Sequence, residues 1–190
     1  MASAMPTPHE GSVMVTEDSD RQAGADRAAL IRAALAEQPD GVVEAIAAKA
    51  GVTPAEVLAL LPEGAVVQAS SDRFAALWQE MTLWGEVLLI VHTQDIVLEV
   101  AGSLPAGSEG HGWFNIHGDS PIGGHIAKQN CAAIAFVDRD FHGRRSCSVW
   151  FMNGSGQAMF KIFVRRGQDK ALLADQLAKF IALRERVPAP

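Results

Sequence analysis

Two of the chain's six histidines, His117 and His125, stand in one stretch, WFNIHGDSPIGGHIAK (Trp113 to Lys128), on either side of a proline and a glycine pair. They are either metal-site residues or polar punctuation between strands. With His92 and His111 they form a set spread over strand ends and loops, without the local spacing of a zinc site. The signatures of common enzyme chemistry are missing: no Gly-x-Ser-x-Gly elbow, no P-loop, no dinucleotide fingerprint after a strand and no His-Glu-x-x-His. GDSPIGG is glycine-rich but lacks a Lys-Ser/Thr ending, and it reads as a turn.

Strand parity narrows the choice among the histidines. In GWFNIH, alternation puts Trp113, Asn115 and His117 on one face and Phe114 and Ile116 on the other. In EVLLIVH it puts Leu88, Ile90 and His92 together, so His92 ends an apolar face. An imidazole beside aliphatic groups suits an iron porphyrin, which needs an apolar slot and one axial donor. The propionates of such a ligand want cations at the pocket's rim. FHGRR supplies Arg144 and Arg145, and Lys128 follows His125. In AMFKIFVRR, alternation sets Met159, Lys161, Phe163 and Arg165 opposite Ala158, Phe160, Ile162 and Val164. Lys161 and Arg165 are read as belonging to a solvated outer face, since long cations usually snorkel to water.

These residues need elements to hold them. Met1 to about Gly24 shows no helical or strand periodicity and reads as a disordered tail. DRAALIRAALAEQ and GVVEAIAAKAG are helical, and TPAEVLALLP opens with Thr53, Pro54 and Glu56 in a capping-box pattern. Together, residues 25–64 form a compact three-helix unit. Its helix-turn-helix look raises a DNA-binding regulator, but the second helix offers no Arg, Lys, Asn or Gln to base edges, and a packing module is the better reading. A fourth helix, Ser71 to about Trp84, carries Phe74, Leu77, Trp78 and Met81 at core spacing and stops at Gly85.

Beyond Gly85 come six β-branched and aromatic runs: EVLLIVH, DIVLEVAG, GWFNIH, CAAIAFVDR, SCSVWFMN and AMFKIFVRR. NGSG, Asn153 to Gly156, makes the clearest hairpin between the last two. A final helix from Asp169 to about Arg186 packs on the sheet. Strands joined so closely cannot be parallel, so the fold is α+β with a largely antiparallel sheet, and residues 65–187 form the domain that carries the site.

Composition sets the outer bounds. A chain of 190 residues, 48% hydrophobic, can bury one sizeable core. Its net charge of -6 argues against nucleic acid as a partner, because phosphate contacts need clustered cations. No apolar run spans a bilayer and no secretory signal is visible, so a cytoplasmic protein off the membrane is expected. Cys131 and Cys147 read as small core thiols in a reducing compartment.

LIVHTQDIVLEVAGSLPAGSEGHGWFNIHG, PIGGHIAKQNCAAIAFVDRDFHGR and AMFKIFVRR resemble the HutX/ChuX family of haem-utilisation carriers, and the likeness runs from about Arg27 to Leu183. The resemblance implies an intracellular, dimeric haem-binding protein with an α+β fold like one half of HemS/ChuS-type proteins. Such a carrier takes haem after import and passes it to a haem-degrading or haem-accepting partner. The family's histidines in VHT and GGHI fall on His92 and His125, which become the candidate iron ligands. Trp113 stands where relatives usually have Tyr in HGYFN, and an indole cannot ligate iron as a tyrosinate can. Trp113 is left to stack on the porphyrin. His117 is a secondary candidate supported by parity alone. A haem-degrading enzyme is the alternative expectation, although no flavin or nicotinamide site is readable.

Overall fold

The computed structural model describes residues 12–187, with side chains from residue 19 onward. Three helices come first: α1 (Ser12–Glu37), α2 (Val43–Ala50) and α3 (Pro54–Ala59). They lead through β1 (Val66–Ser70) and a single 3-10 turn into α4 (Phe74–Thr82). The strands β2 (Glu86–His92), β3 (Val97–Ser103), β4 (Ser108–Gly110), β5 (Trp113–Ile116), β6 (Gly124–Ile126), β7 (Cys131–Phe141), β8 (Arg144–Asn153) and β9 (Ala158–Phe163) follow. Helix α5 (Ala174–Arg186) closes the chain. The strands make a six-stranded sheet in the order β1-β7-β8-β9-β2-β3 and a three-stranded sheet β4-β5-β6. Every ladder is antiparallel, as the short connections require.

The large sheet is covered on both faces, which is why CAAIAFVDR reads as a nearly unbroken apolar run. Ile134 and Phe136 of β7, with Val149 and Phe151 of β8, enter one core together with Phe74, Trp78 and Phe180. Their neighbours Ala135, Val137, Trp150 and Met152 enter a second core against Ile31, Val43, Ile46 and Val57 of the N-terminal helices. Those helices are therefore a wall of the molecule. Met1 to Gly11 lie outside the described residues, and over Ser12 to Gly24, where an unstructured segment is expected, the chain is instead helical. The register of that stretch is not amphipathic, so nothing in its sequence marks it as a helix that buries a face.

The capping box at Thr53 forms as its spacing predicts: the Glu56 amide donates to Thr53 Oγ1 at 3.3 Å, and the Thr53 amide donates to Glu56 Oε2 at 2.8 Å. The NGSG turn docks against it. Gly156 has φ +76°, and a Cβ there would sit 2.7 Å from Thr53 Oγ1, so both backbone sign and space demand glycine. The α5 helix starts five residues later than its periodicity suggests, after an irregular stretch. Gln176 ties it to the sheet: its amide nitrogen donates to Trp84 O and Glu86 O, and its oxygen accepts from the Arg165 amide.

One irregularity changes which face a residue occupies. The β8–β9 register passes from Phe151 opposite Phe160 to Met152 opposite Ala158, leaving Met159 as an extra residue on β9. Simple alternation puts Met159 beside Lys161. The bulge instead sends it to the Phe160 side, while Ala158 joins the helical core.

The three-stranded sheet is fastened mainly through Phe114, whose ring meets Phe74 and Trp78 edge-on at 5.3 and 5.4 Å. The Trp78 indole N–H also donates to Pro105 O, at 2.8 Å, just ahead of β4. Phe114→Ala should therefore lower stability by about 3–5 kcal/mol, read as a shift in the urea midpoint, with the β4–β6 amides losing hydrogen-exchange protection first.

Candidate haem site

Position 125 faces away from the core. Its strand partner is Asn115, while Phe114 and Ile116 on the same ladder point inward and are buried. His125 Nδ1 lies 2.7 Å from Asn115 Oδ1. The Asn115 amide nitrogen is turned toward three backbone carbonyls, those of Gly110, Ser108 and Trp113, at 3.2, 3.3 and 3.4 Å. Since an amide nitrogen only donates, this orientation leaves the oxygen as the group facing His125. In the neutral imidazole this arrangement puts the proton on Nδ1 and the lone pair on Nε2. Around it, the His117 ring lies 5.2 Å away and the Trp113 ring 6.3 Å away, both edge-on. Trp113 is 47% exposed, an unusual state for an indole.

His125 stands on a groove of about 420 Å³ between β6 and the face of β2 and β3. The floor is Leu89, Val91, Leu98, Val100, Phe160 and, through the bulge, Met159. Apart from His125, no lining side chain is charged or carries a nitrogen donor. His125 borders this apolar space, while its ring stands on the outer face of β6 with Asn115, Trp113 and His117, which do not line the groove.

His92 lies elsewhere. With Leu88 and Ile90 it lines a cavity of about 560 Å³ on the opposite face of the large sheet, toward α2. Its Nδ1 is 3.5 Å from Glu44 Oε2. The structure thus keeps the shared face of Leu88, Ile90 and His92 that parity predicts, yet separates the two candidate ligands, and within one chain they cannot hold the same iron.

The expected cations are dispersed. Lys128 is half-buried just after the groove-lining Ala127 and is paired with Glu109. Arg145 donates from Nε and Nη2 to both carboxylate oxygens of Asp138, at 2.9 and 2.7 Å, and this holds the Asp138 carboxyl below its usual range. Arg144 is exposed at the same hairpin, and neither arginine lines either cavity. The cations that do line one are Arg139, Lys161, Arg165 and Arg166, all at the His92 cavity. Lys161 is not on a solvated face: it is 4% exposed, paired with Glu44, with Nζ 4.4 Å from the Trp150 ring centroid. Its neighbours on that face are covered by α2, which strand parity alone does not reveal. Asn115, which contacts His125, is the residue that sequence reasoning left unassigned, although parity already aligns it with Trp113 and His117.

A mixed α+β unit with two antiparallel sheets, an N-terminal helical wall and an apolar groove bearing a preset imidazole defines a small-ligand binder. The family model for haem utilisation ChuX/HutX matches residues 67–183, and the chain belongs to that family. A crystal structure of a protein from Agrobacterium tumefaciens is 64% identical, covering 95% of this chain and 100% of that one, with a TM-score of 0.81. The structure of the heme binding protein ChuX is 36% identical over 82% of this chain and 97% of its own, with a TM-score of 0.74. The intracellular heme transport protein HutX of Vibrio cholerae is 28% identical over 153 residues, 80% of this chain and 79% of HutX. The fold alone recurs in part of the Escherichia coli heme degrading enzyme ChuS, at 13% identity, where this chain's match spans 41% of that longer protein.

Because Arg145 depresses the Asp138 carboxyl, the pair stabilises the fold above the ordinary carboxylate range, and that stabilisation disappears as pH falls through the lowered Asp138 value. Arg145→Met should therefore reduce the urea midpoint at about pH 7, with the difference from wild type closing below about pH 4. The same variant should titrate with hemin as the wild type does.

Proposed function

We propose that this protein is an intracellular haem carrier that receives haem after import and delivers it to a haem-degrading or haem-using partner, with the iron held by His125 Nε2. The observation that carries this reading is the Asn115–His125 pair at the apolar groove, which presets the tautomer that a haem iron needs. The names of ChuX and HutX, a heme binding and a heme transport protein, support the same role. With Trp113 where a Tyr is usual, ligation falls to imidazole, and the exposed indole supplies a flat apolar surface beside it.

Release matters as much as capture in a carrier. His125 is solvent-exposed, so the ligand can leave without opening a core. Haem degradation would need a source of electrons, and the chain carries no motif for a flavin or nicotinamide, so the carrier role stands ahead of an enzyme. A partner other than nucleic acid is supported by α3 turning Val57 and Leu58 into the core and by the net charge of -6. No helix among the described residues is long and apolar enough to cross a membrane, which fits a cytoplasmic carrier.

The working unit is a homodimer. Strand β3 is one edge of the large sheet, and Ile96 just before it and Val97 and Leu98 on it are 54, 52 and 49% exposed. An apolar strand edge of this kind is a template for pairing, and a second copy would cover it. Leu98→Lys should leave the fold intact and shift the sedimentation coefficient to that of a monomer.

Hemin titration followed by absorption tests the iron assignment. The wild type should show a saturable Soret shift, His125→Ala should lose the ligated spectrum, and Asn115→Leu should weaken binding by about 10–100-fold. His92→Ala should match the wild type. If His125→Ala keeps the wild-type spectrum and His92→Ala changes it, the iron is on the other face of the sheet.

A further inference from the structure

His117 has no part in the iron assignment, yet its imidazole stands beside that of His125 on the outer face of the small sheet. The β5–β6 ladder pairs Asn115 with His125 and Ile116 with Gly124, so His117, the next residue after β5, comes diagonally alongside His125. The two residues before His125 are Gly123 and Gly124, and neither places a side chain between the rings. Both histidines are exposed. His125 Nδ1 is taken by Asn115 Oδ1, which leaves Nε2 as its available donor. His117 has no hydrogen bond or ion pair among the described residues. Two imidazoles thus stand together with donor nitrogens that nothing in the fold employs.

The spacing of the rings is that of ligands to one metal ion. A metal–nitrogen bond of about 2.0–2.1 Å sets each ring centroid ~3.2 Å from the ion, so two imidazoles on one tetrahedral ion have centroids about 5 Å apart. The centroids of His117 and His125 are 5.2 Å apart, with the rings at 77° to each other. Asn115 holds His125 through its second nitrogen, the way a ligating histidine is ordinarily oriented. Among the described residues no group of three or more His, Cys, Asp or Glu could hold a metal ion, so water completes the coordination and the site is open to exchange.

We propose that His117 and His125 form a binding site for a divalent transition-metal ion of the class that prefers imidazole, with copper ahead of nickel and zinc in affinity. An ion held there takes His125 Nε2, the nitrogen assigned to haem iron, so the metal-loaded protein is closed to haem ligation at that residue. This consequence rests on the iron assignment, whereas the metal site itself does not.

Trp113 reports on the site, because its ring lies 6.3 Å from that of His125 and it is the exposed one of four tryptophans. Copper(II) chloride added to the full chain without haem should quench the Trp113 emission saturably, at one ion per chain. Excess zinc chloride, which does not quench, should restore it. His117→Gln and His125→Gln should each weaken the copper affinity at least tenfold, and both variants keep the fold because the side chains are exposed. His92→Gln should leave the affinity unchanged. Quenching that does not saturate, wild-type affinity in either variant of the pair, or an equal loss in His92→Gln would overturn the proposal. The two readings fail separately: a His125→Gln protein that loses copper but keeps the wild-type hemin spectrum removes the iron assignment and leaves the metal site standing.

Discussion

Neighbouring residues of a strand leave on opposite faces, and in this protein both faces of the central sheet are covered, so a shift of one position moves a side chain from one compartment to the other. Leu89 and Val91 floor the groove beside His125, while Leu88, Ile90 and His92 floor the cavity under α2. Strand β3 divides in the same way, with Val97 and Glu99 toward one space and Leu98 and Val100 toward the other. The sheet thus carries two cavities back to back, one lined by His92 and the other bordered by His125.

The two histidines are held differently. Asn115 is a neutral acceptor facing the Nδ1 side of His125. His92 instead shares a carboxylate with a buried ammonium. The aromatic cluster of Phe74, Trp78 and Phe114 gives the His125 side its rigidity, because it anchors β5, and β5 carries Asn115.

Much of this can be read in the chain without coordinates. The amphipathic period of Phe74 to Met81, the capping box at Thr53, the NGSG hairpin and the split of GWFNIH into an inner and an outer face all appear where spacing predicts them. Three residues escape that reasoning for separate physical reasons. Met159 changes faces because a bulge inserts one residue, and a bulge leaves no mark in an alternating pattern. Lys161 is buried because a helix more than a hundred residues earlier in the chain lies over it and supplies Glu44. Arg145 is taken by Asp138 across the β7–β8 ladder, so a pair of arginines that looks available for propionates is already engaged in part.

By itself the sequence determined most of the elements, the antiparallel fold, the family and the short list of imidazoles, because these follow from local periodicity, turn chemistry and extended motifs; the short strands β1, β4 and β6 it did not mark. Only the tertiary structure decided that one imidazole is paired with Asn115 beside an apolar groove, and that the other lies across the sheet beside a buried ion pair. Those outcomes depend on cross-strand register and on the docking of distant elements, and such contacts have no signature in the spacing of neighbouring residues.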